Sequence, residues 1–141
     1  MINYINKVSH RNQFSNLHPQ MKLALIIGLG SFIGGFSRYL LSLFIQSKAT
    51  SPFPLHTLII NVTGCFLIGI VFGFFDRGQI SQEWKLFLAT GILGGFTTFS
   101  AFSMEMLTLF REGYIGYASL YIFASVFLGL LLTYLAYLLV K

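Results

Sequence analysis

Charged residues are scarce in this sequence: they make up 9% of its 141 residues, whereas 55% are hydrophobic. A soluble globular domain carries charge on about a quarter of its residues, so the composition excludes an ordinary soluble domain. Cysteine is scarcer still, because Cys65 is the single one. It excludes an intrachain disulfide and any site with several cysteine ligands, and we expect it to act as a small buried apolar group.

Long stretches without charge indicate where the chain crosses a membrane. Four stretches, of 25, 27, 25 and 28 residues, contain one charged residue at most; they lie between Lys22 and Lys48, Lys48 and Asp76, Lys85 and Arg111, and Glu112 and Lys141. A spanning helix needs about 20 apolar residues. We therefore predict an all-α membrane protein with four transmembrane helices, at about residues 23–45, 55–75, 84–110 and 116–140, in a cell membrane.

The connections between these helices are short, so consecutive helices must run antiparallel and no soluble domain hangs between them. We predict one transmembrane domain, residues 22–141. Residues 1–21 contain many Asn and Gln residues and little apolar pattern. No apolar core of the secretory type precedes the first span, and we interpret this segment as a mobile, weakly basic polar tail.

The basic residues are spread along the chain rather than clustered, although the net charge is +5. We therefore expect no nucleic-acid partner. Lys22, Arg77, Lys85 and Lys141 fall on the face of the N-terminus, and Lys48, Arg111 and Arg38 on the other. The orientation of a membrane protein follows the excess of Lys and Arg in its short cytoplasmic loops. Four basic residues on one face and three on the other are nearly balanced, so we predict that the chain can insert in both orientations. If Lys7 and Arg11 of the N-terminal segment are included, the face of the N-terminus has six basic residues and the other face three. A single fixed orientation is therefore an open alternative.

Four helices fill their core with their own side chains, so an aqueous path needs a second wall from another chain. We expect a dimer. Three Gly-x-x-x-Gly pairs let helices approach closely: Gly30 and Gly34, Gly69 and Gly73, and Gly91 and Gly95. Ordinary packing within one bundle explains most of them. An antiparallel pair would reproduce the inverted repeats found in larger transporters.

The third span contains the strongest helix-breaking pattern. Residues 91–98 read Gly-Ile-Leu-Gly-Gly-Phe-Thr-Thr, and both Gly and Thr weaken a helix interior. We predict a break at residues 94–98. Freed carbonyls at membrane depth need partners, of which a monovalent cation is a recurrent one; a simple kink for packing is the alternative.

Phe99 and Phe102 lie on one helical face just after the predicted break, beside the hydroxyls of Ser100 and Ser103. Core packing explains most such pairs. The edge of a phenylalanine ring is nevertheless positive, so two edges can hold an anion without trapping it. Weak, multiple sites are what conduction needs.

Two further pairs place polar groups four residues apart on one helical face. In the second span these are Thr57 and Asn61. The Asn61 amide suits a small, strongly hydrogen-bonding anion, or it ties two helices together. In the fourth span, Tyr121 and Ser125 are candidates to continue a polar track.

Three ionisable residues fall within or beside the spans. Arg38 is predicted near a membrane interface, where its stem can snorkel and its charge can attract anions. Glu105 is the one acid clearly inside a span, and we expect it at a pore mouth or paired with a hydroxyl. His56 follows a proline-containing loop, and we expect a solvated interfacial side chain.

Together these residues resemble the CrcB/Fluc family of fluoride channels over nearly the whole chain after residue 24. Residues 34–39, Gly-Gly-Phe-Ser-Arg-Tyr, are similar to that family's Gly-Gly-x-x-Arg-aromatic element. Residues 54–64 resemble its Pro-x-Gly-Thr-Leu-x-x-Asn-x-x-Gly motif, with His56 where Gly is usual. Residues 94–105 resemble its third-span signature, which is the most specific of the three, with Ala101 where Thr is usual.

The resemblance implies a passive fluoride channel without catalysis, built as an antiparallel dual-topology dimer with two pores at the interface. Gly94 and Thr97 would supply backbone carbonyls to a central structural Na⁺. Phe99, Phe102 and Asn61 would line the ion path, with Tyr121 and Ser125 as its polar track. A paralogue could replace the second copy.

Two other functions use a similar small bundle. A dual-topology multidrug exporter looks to an acid in its first span for proton coupling, and this first span has none. A membrane scaffold that transports nothing would use its polar residues for packing alone.

Overall fold

The computed structural model describes the backbone of residues 2–48 and 50–141, and the side chains of residues 19–48 and 50–141. We number its helices α1 (Ile2–Gln46), α2 (Leu55–Asp76), α3 (residues 82–96), α4 (Phe99–Arg111) and α5 (Ile115–Val140). The predicted tail, residues 1–21, falls mostly on residues whose side chains are not described, so its separate character stays a prediction.

Within the described part of the chain, four helical segments are long and apolar enough to cross a membrane: Pro19–Gln46, Leu55–Asp76, Gln82–Arg111 and Ile115–Val140. They coincide within a few residues with the four predicted spans, which are thereby confirmed. The two tight connections each contain a glycine with positive φ, Gly78 at 69° and Gly113 at 81°. Glycine adopts this backbone at little steric cost, so each chain reversal can be short.

The third span is interrupted, as predicted. Helix α3 ends at Phe96, and Thr97 (ψ 159°) and Thr98 (φ −153°, ψ 116°) are extended before α4 begins. The Thr98 hydroxyl accepts a hydrogen bond from the amide of Ala101 and so caps α4. Residues Leu86–Leu93 within α3 form a π-helix, a wider turn that nothing in the sequence predicts.

Glycines allow two pairs of helices to approach closely. A Cβ on Gly34 of α1 would overlap the carbonyl of Ile92 in α3, and one on Gly95 would overlap the carbonyl of Ser31. On the other side of the bundle, a Cβ on Gly69 of α2 would overlap the carbonyl of Thr133 in α5. The predicted Gly-x-x-x-Gly pairs therefore pack helices within one chain.

The described part of the chain buries few large side chains, among them Ile60, Leu109 and Tyr121. Most of its Leu and Phe residues are exposed on the outside of the bundle, as in Leu25, Phe123 and Leu130. A surface this apolar requires lipid or another apolar chain around it. The chain is a multi-pass membrane protein.

Candidate functional site

The break in the third span is held by a side chain from α2. Asn61 donates from Nδ2 to the carbonyl of Thr98 (3.2 Å), and its Oδ1 accepts from the amide of Thr98 (2.9 Å). The extended backbone of Thr98 is thus satisfied on both sides by one amide group, as unpaired groups in a membrane require. Asn61 therefore does tie two helices together, and it keeps a second amide hydrogen for another acceptor.

The break leaves several backbone carbonyls without helical partners, among them those of Gly94 and Thr97. In a continuous helix the amide of Thr98 would donate to the carbonyl of Gly94, and that of Ala101 to the carbonyl of Thr97. Instead, the Thr98 amide donates to Asn61 and the Ala101 amide to the Thr98 hydroxyl. Carbonyl oxygens left in this way are hard ligands, and their chemistry fits a small cation such as Na⁺.

Arg38 reaches the third span beside its break. Its Nε donates to the carbonyl of Gly95 (3.2 Å), in the last turn of α3. A snorkelling guanidinium is expected to meet water or carbonyls, and here it meets a carbonyl; its position near a membrane interface stays a prediction. A cation here adds positive charge close to the break.

An open cavity of about 360 Å³ runs along the surface of the chain beside the break. It is lined by α2, both halves of the third span and α5, and its walls include Asn61, Gly94, Thr97, Thr98, Phe99, Phe102 and Ser125. We call this cavity the groove. One polar residue from the second span and one from the fourth, both predicted for the site, therefore face the same space.

Two phenylalanine rings stand at the groove. Phe99 is 80% exposed in the single chain, and its ring centroid lies 5.7 Å from that of the half-buried Phe102. A large apolar side chain this exposed at a helix start is available to a ligand or a second chain. Ser100 is also exposed, and its hydroxyl lies 3.2 Å from that of Thr98.

The groove wall also contains a buried polar atom. Among the residues whose side chains the structure describes, Ser125 Oγ is the buried side-chain oxygen with no hydrogen-bond partner. Such a group costs free energy unless it finds a partner. A hydroxyl without a partner beside an open cavity is ready to donate to an anion.

Glu105 is surrounded by hydroxyl donors from two other helices. Thr57 donates to Oε1 and Tyr121 to Oε2, each at 2.6 Å. The prediction that Glu105 pairs with a hydroxyl is confirmed. Tyr121 is fully buried and its ring contacts Phe102 (5.0 Å between centroids), so its hydroxyl belongs to this cluster rather than to the groove.

His56 is less exposed than the solvated side chain predicted for it. It is 21% exposed, and its Nε2 lies 3.2 Å from Glu105 Oε1. It lies in the first turn of α2, and Thr57 of the same turn donates to the same oxygen. The sequence alone contains no signal for this contact between two distant helices.

The polar residues thus form two separate groups inside the chain. Asn61, Thr98 and Ser125 line the groove, whereas Thr57, Tyr121 and Glu105 form a hydrogen-bonded cluster. Phe102 lines the groove and also contacts Tyr121, so it lies between the two groups. The groove offers an anion hydrogen-bond donors and ring edges without a full positive charge in direct contact.

Comparison with known families agrees with this arrangement. A profile described as "CrcB-like protein, Camphor Resistance (CrcB)" matches residues 25–137. The chain belongs to the CrcB family. The match covers the second and third spans with the break, and most of the first and fourth.

Several relatives in the CrcB family are named fluoride-specific ion channel FluC. One such protein, from Thermus thermophilus, is 47% identical over 113 residues, which are 80% of this chain and 89% of the relative. That from Oceanobacillus iheyensis is 45% identical over 116 residues (82% and 88%). That from Flavobacterium psychrophilum is 43% identical over 122 residues (86% and 98%). Their names are those of ion channels, not enzymes, in agreement with the predicted lack of catalysis.

Proposed function

We propose that this chain is a fluoride-selective passive ion channel that releases F⁻ from the cytoplasm across the cell membrane. The observation that carries the proposal is the groove itself. The exposed Phe99 lines it together with Asn61 and with Ser125, whose buried hydroxyl has no hydrogen-bond partner. The names of the relatives in the CrcB family support the same ion.

Fluoride is small and strongly hydrated, so it enters a membrane only where protein hydrogens replace its water. Amide and hydroxyl hydrogens supply strong hydrogen bonds, and phenylalanine edges supply a weak positive field. Since neither group is fully charged, the ion is held loosely enough to move on. Arg38, bound to the Gly95 carbonyl, supplies a positive potential nearby.

A single chain leaves the groove open along one side, and a path for an ion needs a second wall. We propose that a second copy in the opposite orientation supplies it, giving two pores at the dimer interface. The near balance of basic residues between the two faces supports insertion in both orientations. A paralogue in place of the second copy would build the same wall.

We propose further that Gly94 and Thr97 hold a structural Na⁺ through their backbone carbonyls. The support is the loss of both helical partners at the break, described above. Bound Na⁺ would supply fixed charge to the freed oxygens of facing chains and so hold the two broken helices together. It would not be transported.

Reconstitution in liposomes distinguishes this proposal from the two alternatives. Purified protein should release trapped fluoride rapidly while leaving trapped chloride inside, as followed with ion-selective electrodes. A dual-topology exporter would instead give proton flux that depends on an added drug. A scaffold would give neither, and absence of fluoride release from folded protein would contradict the channel.

A further inference from the structure

His56 and Glu105 form a contact between α2 and α4 that the groove does not explain. His56 Nε2 lies 3.2 Å from Glu105 Oε1, and both side chains are 21% exposed. Both residues line a second open cavity, of about 400 Å³, at the end of α4. The pair therefore lies between the buried cluster and water, where an imidazole can exchange protons with solvent.

The carboxylate of Glu105 accepts every hydrogen bond in this cluster. The two hydroxyl contacts of 2.6 Å, from Thr57 and Tyr121, have the length of O–H···O⁻ bonds. Each carboxylate oxygen thus has one hydroxyl donor, and His56 Nε2 lies beside the oxygen that Thr57 binds. Neutral His56 leaves the cluster with one negative charge, and protonated His56 cancels that charge.

The cluster lies next to the ring edges along the same helix. Phe102 precedes Glu105 by one turn of α4 and contacts the Tyr121 ring (5.0 Å between centroids). The groove is lined by Phe102, whereas the second cavity is lined by Glu105. An anion that moved from the groove toward the second cavity would pass beside Glu105.

We propose that His56 is a positioning residue for fluoride conduction: it holds the Glu105 carboxylate, and its protonation removes the negative charge that opposes F⁻ at this mouth of the path. Fluoride flux then rises as the pH falls. This inference rests on the proposed channel function. The other polar groups that line this cavity with His56 and Glu105 are Glu112, which follows α4, and the uncharged Thr108, Gln46 and Ser51.

The test is fluoride efflux from liposomes at equal inside and outside pH, with the leak of protein-free vesicles subtracted at each pH. Between about pH 8 and about pH 5.5, wild-type flux should rise on the order of tenfold, because a unit charge a few ångströms from the path is removed. His56→Gln keeps a donor but cannot be protonated, so its flux should not change with pH. His56→Gly, the residue common in the family's motif, should behave in the same way.

A double variant of the other two histidines, His10→Gln and His18→Gln, is the matched control and should keep the full pH response. Wild-type fluoride flux that does not change with pH would overturn this inference alone, as would an unaltered pH response in His56→Gln. Absence of fluoride flux at every pH would overturn the proposed channel function, and this inference with it.

Discussion

One side chain from the second span completes the backbone of the third: Asn61 both donates to the carbonyl of Thr98 and accepts from its amide. The amide plane of asparagine matches the donor and acceptor of a single extended residue. Because Thr98 is turned toward Asn61, the carbonyl of Gly94 loses its helical partner. This contact and the Thr98 cap on Ala101 together hold the helix broken at the groove.

Replacing Asn61 should damage both the fold and the transport. Asn61→Ala leaves the amide and carbonyl of Thr98 without partners, and we expect a loss of about 2 kcal/mol in stability together with loss of fluoride flux. Thermal unfolding in detergent and liposome efflux measure the two effects.

Thr133→Val is the control for Asn61→Ala, since Thr133 also joins α5 to α2 through a side chain, by donating to the Cys65 carbonyl (2.9 Å), but does not contact the backbone of Thr98. It should cost about 1 kcal/mol or less and keep its flux. Equal effects of the two variants on flux would show that Asn61 has no special role.

The phenylalanine rings should matter for conduction but not for folding of the chain. Phe99→Ile removes a ring edge that is 80% exposed, so folding should be unaffected while fluoride efflux is abolished; Phe102→Ile should also abolish efflux. Phe32, which is 72% exposed and contacts Phe36 outside the groove, provides the control Phe32→Ile. Undiminished flux in both groove variants would refute a role for the ring edges.

Glycine substitutions test the packing of α1 on α3. Gly34→Ala places a Cβ on the carbonyl of Ile92, where the backbone cannot yield, and should destabilise the chain by about 2 kcal/mol. Gly28 lies on the same helix with no atom within 4 Å of such a Cβ, so Gly28→Ala should be neutral or slightly stabilising. The unfolding temperatures of the two variants measure the effect. Equal changes in the two variants would contradict this packing of α1 on α3.

Sodium should be required without being carried. If Gly94 and Thr97 hold Na⁺ as proposed, exchanging all Na⁺ for a large organic cation should halt fluoride efflux, and restoring Na⁺ should recover it. Radioactive sodium trapped in the same liposomes should stay inside. Full fluoride flux in the absence of Na⁺ would eliminate the structural ion.

Much of the fold can be predicted from short stretches of the sequence. The charge-free stretches define the spans because any charge in hydrocarbon is costly, and Gly94, Gly95 and the two threonines predict the break because each weakens a helix. The close approach of α1 and α3 could also be anticipated from Gly34 and Gly95. The sequence could not show which helix each glycine pair contacts. The structure shows that these glycines pack against other helices of the same chain.

The site was less predictable where partners come from distant parts of the chain. Arg38 binds the Gly95 carbonyl, 57 residues away, and His56 meets Glu105, 49 residues away. Neither contact has a periodic signal in the sequence, so both side chains were assigned to the interface with water. The π-helix of Leu86–Leu93 likewise reflects packing rather than any local pattern.

The most direct test of the account is single-particle imaging of the purified protein in lipid nanodiscs that contain Na⁺ and fluoride. The account predicts two copies in opposite orientations, with the groove of each closed by its partner and Phe99 at the ion path. A monomer, or two copies in the same orientation, would contradict it.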